Sequence, residues 1–270
     1  MTTKNLAKAD IHTNTAKALA FGALVFAAMA VAPRPATAMD TIAREAILLD
    51  AKTGAVLFNK DADNLMPPAS MSKLMTIYLI FERLKQGSLS LEDEFVVSEN
   101  AWRKGNWASG GSTMFLEPGQ RVRVEDLIQG IIVQSGNDAC VVVAESLAGS
   151  EDAFAELMTE KGKEIGLTNS TFRNASGWPH PEHRMTAHDL AVLARRTIND
   201  FPEYYHYYSE RQFTYNNHTQ HNRNELLGRV PGADGLKTGH TQNAGYGLTA
   251  SAERNGRRLI LVVNGLESKK

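Results

Sequence analysis

Pro67-Pro68-Ala69-Ser70-Met71-Ser72-Lys73-Leu74-Met75-Thr76-Ile77-Tyr78-Leu79-Ile80-Phe81 puts a serine just after a loop-forming Pro-Pro pair and then runs apolar on every side. A helix of that composition is buried all round rather than amphipathic, and Gly87 supplies its stop. Residues three apart share a helix face, so Ser70 and Lys73 stand side by side at the helix start. A serine hydroxyl becomes a nucleophile when a neighbouring base takes its proton. A lysine serves as that base once desolvation or nearby positive charge lowers its pKa enough to populate the neutral amine. Free N–H groups at the same helix start can stabilise an oxyanion beside Ser70. The bland alternative is an N-capping serine with a snorkelling lysine, and Ser-x-x-Lys arises roughly once by chance in a chain of this length.

The 270 residues exceed one typical domain, but the first 38 read as a leader. Lys4, Lys8 and Lys17 precede an uncharged run from Ala18 to Ala32, and Ala36-Thr37-Ala38 is a small-residue cleavage site before Met39. This is the pattern of a secretory signal peptide, and the apolar run is short for a membrane span. Cleavage removes Lys4, Lys8, Lys17 and Arg34 against Asp10 alone, so the mature chain is more acidic than the formal net charge of −1. That balance argues against nucleic acid as a partner. Residues 39–270 suffice for one large core. The single cysteine, Cys140, excludes an internal disulfide and reads as a buried structural thiol. With no Gly-rich nucleotide loop, no His-Glu-x-x-His and no Cys pair, no cofactor and no metal site is expected.

Ala46 to Asp50 and Ala55 to Asn59 flank Lys52-Thr53-Gly54 and read as a β-hairpin. After the Ser70 helix the chain is mixed to Gln120, with Pro118-Gly119 as a turn. Gly110-Gly111-Ser112-Thr113 reads by default as a flexible connection, with a binding loop as the alternative. Glu125 to Val133 and Asp138 to Leu147 are helical patterns joined by Gln134-Ser135-Gly136-Asn137, a tight turn. Ser150 opens another helix with Phe154, Leu157, Met158 and Ile165 on one side, ended by Gly166. Thr186-Ala187-His188-Asp189 resembles a capping box ahead of Leu190 to Ile198. At the end, Gly245 to Glu253 and Arg257 to Val263 flank Asn255-Gly256, a strong hairpin signal, and Leu259 to Val263 suits a central strand. The expected fold is α+β: an antiparallel sheet built from both ends of the chain, flanked by helices, with a mostly helical insertion over residues 89–200.

Two tripeptides change the standing of Ser70. Ser135-Gly136-Asn137 lies in the turn between helices, and Lys237-Thr238-Gly239 opens the strand-rich end. Together with Ser70 and Lys73 they supply a nucleophile, a base, a proton relay and a positive clamp for an anionic substrate, the set acyl transfer needs. Gly239 lets a substrate backbone approach closely. Each tripeptide has a decoy: Ser98-Glu99-Asn100 lies outside any helix-turn-helix context, and Lys52-Thr53-Gly54 is explained by its hairpin turn. Order and context select residues 135–137 and 237–239.

In that order, Ser70-Met71-Ser72-Lys73, Ser135-Gly136-Asn137 and Lys237-Thr238-Gly239 resemble the active-site triplet of the penicillin-recognising serine enzymes. The surrounding Val133-Gln134-Ser135-Gly136-Asn137-Asp138-Ala139-Cys140 and Leu236-Lys237-Thr238-Gly239-His240-Thr241 resemble the low-molecular-mass D-alanyl-D-alanine carboxypeptidases most closely, from about Ile42 onward. The resemblance implies a DD-peptidase/β-lactamase-like fold, peptidoglycan stem peptides as substrate and β-lactam antibiotics as covalent inhibitors. It implies Ser70 as the acylated residue, Lys73 as general base, Ser135 as proton relay and Asn137 as holder of the peptide amide. Lys237 and Thr238, with Arg223 in Asn222-Arg223-Asn224, would bind the terminal carboxylate. Backbone N–H groups of Ser70 and His240 would form the oxyanion hole.

A class A β-lactamase would share the three motifs but needs a deacylating glutamate, and the loop from Asn169 to Arg184 offers only Glu182, without Glu-x-x-Leu-Asn surroundings. A DD-endopeptidase would share the acyl-enzyme. A non-catalytic wall-binding relative requires a lost catalytic residue, and every motif residue is present. Family members continue past the last strand into a helix that packs on the sheet, and many carry a further β-rich domain and a membrane-anchoring helix. Only Asn264 to Lys270 follows Val263 here. The expectation is therefore a catalytic domain over 39–270 cut short at its C-terminus, without a membrane anchor, periplasmic, and with one sheet face incompletely covered.

Overall fold

A computed structural model describes residues 39–105 and 107–269; the signal-peptide reading of residues 1–38 lies outside the described residues. The described elements run β1 (Glu45–Asp50), β2 (Val56–Lys60), α1 (Lys73–Lys85), β3 (Glu94–Val96), α2 (Glu99–Gly105), β4 (Arg121–Arg123), α3 (Val124–Gln129), α4 (Asn137–Ala148), α5 (Glu151–Glu164) and α6 (Ala187–Asp200). They finish with β5 (Gln212–Tyr215), β6 (His218–His221), β7 (Ala233–Thr241), β8 (Gly245–Arg254) and β9 (Arg257–Leu266). This is the α+β arrangement expected, an antiparallel sheet carrying helices.

The main sheet has the order β2-β1-β9-β8-β7, so the two ends of the chain meet where β1 pairs antiparallel with β9. The Leu259 to Val263 run lies in the middle strand. Asn255 and Gly256 both take positive φ, 51° and 71°, in the β8-β9 turn. Along β9 the pleat separates two environments: Ile260 and Val262 are fully buried, while Leu259, Leu261 and Val263 are half-buried. Ile47 and Leu49 of β1 complete the buried face beneath α1 and α6, which contact the sheet. The opposite face presents Phe58, Leu48, Leu261 and Leu248 in partial exposure. β7 is one of the sheet's two edge strands, and it borders the turn that carries Ser70.

Helix α1 is buried on all sides except near its end, as its sequence requires: ten of its residues, from Lys73 to Leu84, are buried. One 3-10 turn, Ala69–Ser72, leads into it, so Ser70 lies in that turn and not on the α-helix. No side chain caps this helix start, which rules out the capping role for Ser70. Several expectations change in detail. The 89–200 region holds a small two-stranded sheet, β3-β4, among its helices. Leu157 is 36% exposed, because α5 buries only a narrow stripe through Phe154, Ala155 and Met158. Thr186 caps α6 by accepting from Asp189 N–H at 2.9 Å, but the Asp189 carboxylate holds Asn169 N–H and Ser170 Oγ, which makes it a tie to the preceding loop. The β5-β6 hairpin, turned through Asn216 and Asn217 at φ 45° and 62°, was not read from the sequence.

The two faces of β9 should respond differently to truncation. Ile260→Ala is expected to cost about 2–5 kcal/mol in urea unfolding, the range for a fully buried side chain in a packed core. Leu261→Ala should cost less than half as much, since its side chain keeps part of its water contact. Equal costs would show that the outer face is packed as tightly as the inner one.

Candidate active site

The 3-10 turn brings Ser70 Oγ to 2.9 Å from Lys73 Nζ. The same Nζ bonds Asn137 Oδ1 at 2.8 Å and the Ser176 carbonyl at 2.6 Å, and Lys73 is fully buried. Among the described residues no carboxylate pairs with it. Burial is the main cause that brings its pKa down to about 8. Counting hydrogens gives the consequence. A neutral amine has two N–H groups and one lone pair; the two carbonyl oxygens take the N–H groups, and the lone pair is left facing the Ser70 hydroxyl.

Ser135 follows a π-helical turn, Gly130–Gln134, and takes a left-handed φ of 61°. Gly136 N–H closes back onto the Gly130 carbonyl at 3.0 Å. A non-glycine residue held at positive φ after a π turn is costly, and such strain gathers at sites where a side chain must be aimed. Here the Ser135 hydroxyl meets Lys237 Nζ at 3.0 Å, while that Nζ also donates to the Thr238 carbonyl at 3.2 Å. Burial, then the charges of Lys73 and Arg223, push the Lys237 amine well below its ordinary pKa. Two buried lysines and the exposed Arg223, which lines the cleft, thus stand close together, and positive charge on them favours an anionic ligand.

The remaining residues singled out from the sequence come to the same place. Ser70, Ser135, Asn137, Arg223, Thr238, Gly239 and His240 all line one cleft of about 670 Å³. Arg223 Nη1 donates to Ser112 Oγ across its rim. The His240 ring is exposed and stacks on Tyr246 at 4.0 Å, so its side chain lies against the hairpin. At Gly239 a Cβ would sit 2.9 Å from the Pro68 carbonyl and 3.1 Å from Met71 Cγ, which explains glycine where β7 approaches the Ser70 turn. The decoys lie elsewhere: Ser98 Oγ caps α2 and bonds Glu145, and Thr53 bonds Asp50 in the β1-β2 turn. Cys140 is buried, and burial pushes its thiol up to about 12. Among the described residues no group of His, Cys, Asp or Glu suits a metal ion.

Two contributors were not read from the sequence, and a third was read there only as an alternative. Gly110, Gly111 and Ser112 line the cleft, so the binding-loop alternative fits that segment better than a mere connection. Asp138 holds the loop in place: its buried carboxylate accepts from Thr113 Oγ1 at 2.8 Å and from the N–H groups of Met114, Leu116 and Ala139 at 2.9, 3.2 and 3.0 Å. Ser176-Gly177-Trp178 forms the opposite wall, its three N–H groups gathered on Asn174 Oδ1 at 3.2, 2.8 and 3.0 Å. Gly177 has φ 77°, and a Cβ there would fall 1.9 Å from the Ala69 carbonyl. An Asn followed by Gly in a loop signals such a turn. Nothing in the sequence marks the Ser176 carbonyl, since every residue carries one.

Comparison with known proteins bears on the family and the fold. Over 228 residues the chain is 45% identical to the D-alanyl-D-alanine carboxypeptidase DacC of Escherichia coli strain K12, covering 84% of this chain and 57% of that one. It thus spans a little over half the length of that relative. The crystal structure of penicillin binding protein 6B from Escherichia coli superposes with a TM-score of 0.82 at 41% identity, over 88% of this chain and 75% of that one. Penicillin-Binding Protein D2 from Listeria monocytogenes, in its ampicillin-bound form, gives a TM-score of 0.73 at 29% identity, over 86% of this chain and 93% of that one. A family model described as D-alanyl-D-alanine carboxypeptidase matches residues 30–268, and on that match the chain belongs to the D-alanyl-D-alanine carboxypeptidase family.

Proposed function

We propose that this chain carries the catalytic machinery of a serine-type carboxypeptidase that releases the terminal D-alanine of peptidoglycan stem peptides. The observation that carries the reading is the 2.9 Å contact of Ser70 Oγ with a lysine whose other two bonds go to fixed carbonyls. Ser70 Oγ attacks the carbonyl carbon of the penultimate residue while Lys73 takes its proton. The oxyanion is held by the backbone N–H groups of Ser70 and His240. Ser135, touching Lys237, delivers a proton to the departing amine of D-alanine, and water then cleaves the ester. Asn137 has its Oδ1 committed to Lys73, which leaves its Nδ2 to donate to a substrate carbonyl. Lys237, Thr238 and Arg223 receive the terminal carboxylate, whose negative charge favours the protonated Lys237 amine that burial disfavours. Endopeptidase action would use the same acyl-enzyme.

The β-lactamase alternative finds no support at Glu182, which is exposed, pairs with Arg173 at 3.2 Å and lies outside the cleft lining. β-Lactams, which offer a strained amide and a carboxylate to the same groups, act as slow-turnover acylating inhibitors in this reading; the ampicillin-bound Listeria relative supports it. The reading places the enzyme in the periplasm, with residues 1–38 as its export signal. No described helix is long and apolar enough to cross a membrane.

Incubation with a peptide ending in D-Ala-D-Ala, alongside a hydrolysable β-lactam, tests the assignment by its products. Free D-alanine should accumulate while the drug is consumed only stoichiometrically; rapid drug turnover would favour the β-lactamase. Intact-mass analysis should show one penicillin adduct, absent in Ser70→Ala, and an adduct that survives the substitution would remove Ser70 from its role. The pH dependence follows from Lys73. Its base form is neutral, so the acylation rate should rise with pH below about 8 and level off above it. Lys73→Arg should lower acylation by roughly 10²–10⁴-fold, the usual worth of a general base, because guanidinium stays protonated. Lys237→Arg, which keeps the positive charge, should retain partial activity, and a pH-independent Lys73→Arg enzyme as fast as wild type would refute the base assignment.

A further inference from the structure

Thr76 lies inside the apolar run of α1, three residues beyond Lys73, so the two share one helix face. It is fully buried. A threonine inside a helix commonly donates to the carbonyl four residues back. Thr159 and Thr197 do so here, to the Ala155 and Leu193 carbonyls at 2.9 and 2.8 Å. Thr76 Oγ1 instead reaches out of its helix to the Ala175 carbonyl at 2.6 Å. Ala175 immediately precedes Ser176, whose carbonyl accepts from Lys73 Nζ at 2.6 Å. Two side chains one turn apart on α1 therefore grip two successive carbonyls of the loop. The rest of that backbone is held from other directions: Ala175 N–H donates to Glu151 Oε1 at 3.2 Å, and Ser176 N–H to Asn174 Oδ1 at 3.2 Å. The Thr76 bond fixes the loop's distance from α1 without calling on Lys73.

Lys73 depends on that distance. Its neutral amine has its two N–H groups directed by Asn137 Oδ1 and the Ser176 carbonyl, which turns the lone pair toward Ser70. The Ser176 carbonyl belongs to a loop, and its direction is only as fixed as the loop's anchor points. We propose that Thr76 is a positioning residue for acyl transfer: its hydroxyl, acting through the Ala175 carbonyl, sets the Ser176 carbonyl that aims the Lys73 base at Ser70. The proposal rests on the carboxypeptidase reading and adds to it a residue outside the cleft lining. Exchanging the hydroxyl for a methyl group isolates the effect. A carbon atom meets a carbonyl oxygen at about 3.3 Å or more, so Thr76→Val pushes the Ala175 carbonyl about 0.7 Å further from α1 than the 2.6 Å bond holds it. Misplacement by about 1 Å at reacting groups can cost roughly 10²-fold in rate.

The test compares Thr76→Val, Thr76→Ala and Thr76→Ser with wild type in the rate and pH dependence of penicillin acylation. Thr76→Val should lower the acylation rate constant roughly ten- to a hundred-fold. The affinity of the preceding non-covalent complex should change by less than about two-fold, because Lys237, Thr238 and Arg223 are untouched. Thr76→Ala should fall in the same direction, and Thr76→Ser, which keeps the hydroxyl, should restore most of the rate. The pH profile separates positioning from packing. A loop standing off α1 admits water to Lys73, and burial is what lowers its pKa, so the midpoint should move above about 8 in Thr76→Val and return in Thr76→Ser. A wild-type rate constant and midpoint in Thr76→Val, a loss confined to non-covalent affinity, or a Thr76→Ser enzyme as slow as Thr76→Val overturns the proposal. Should Thr76→Val not fold, Thr76→Ala is read against Thr76→Ser by the same criteria. If wild type takes up no penicillin, the carboxypeptidase reading fails, and Lys73 is titrated directly by NMR of isotope-labelled lysine side chains, its signal assigned by its loss in Lys73→Arg. A midpoint higher in Thr76→Val than in wild type and Thr76→Ser then supports the positioning role; an unchanged midpoint refutes it.

Discussion

A lysine buried without an acid organises this structure. Removing an ammonium from water costs several kcal/mol unless it is paired, and burial brings the Lys73 pKa down to about 8, which puts its neutral form within reach. Its two carbonyl partners then have to come from elsewhere in the chain. Asn137 arrives on the first residue of α4, and Ser176 on a loop 103 residues after Lys73. The bonds of one nitrogen thus tie the nucleophile's turn to the helical region and to the wall of the cleft. Displacing either carbonyl would leave an N–H unsatisfied in a dry interior and blur the direction of the lone pair toward Ser70.

The main sheet supplies the other half of the cleft by a different device. Its edge strand β7 carries Lys237 on the buried face, where the amine reaches Ser135 and ties sheet to helices, while the Thr238 hydroxyl and the backbone edge remain open to the cleft. An edge strand is normally a hazard, because its unpaired groups invite other chains. Here the close approach of Gly239 to Pro68 and Met71 narrows the edge to a groove in which one extended peptide can pair.

Asp138 shows how support outside the reacting groups is arranged. Its carboxylate is buried, and burial raises its pKa even though four donors surround it. Those donors come from residues 113–116 and from the start of α4, so one side chain aligns the Gly110–Ser112 rim with Ser135 and Asn137. Across the cleft, Arg223 meets Ser112, joining that rim to the β6-β7 connection. The cleft walls are loops, but each is pinned by a polar side chain, Asp138 on one side and Asn174 on the other.

Much of this was legible in the sequence because it depends on short separations. The buried α1, the i to i+3 spacing of Ser70 and Lys73, the Asn255-Gly256 hairpin and the turn at Ser135 are local consequences of periodicity and φ preference. The order of the three motifs pointed to one site. What the sequence left open depends on contacts between distant segments. The β5-β6 hairpin escaped notice because Asn-Asn is a weaker turn signal than Asn-Gly. The role of Gly110–Ser112 depended on Asp138, and the value of Ser176 on a carbonyl that carries no side-chain signature. Local chemistry determined which groups could react; only tertiary packing decided which backbone oxygens, which loops and which unpaired cations would surround them, because burial and hydrogen-bond direction are properties of the assembled chain.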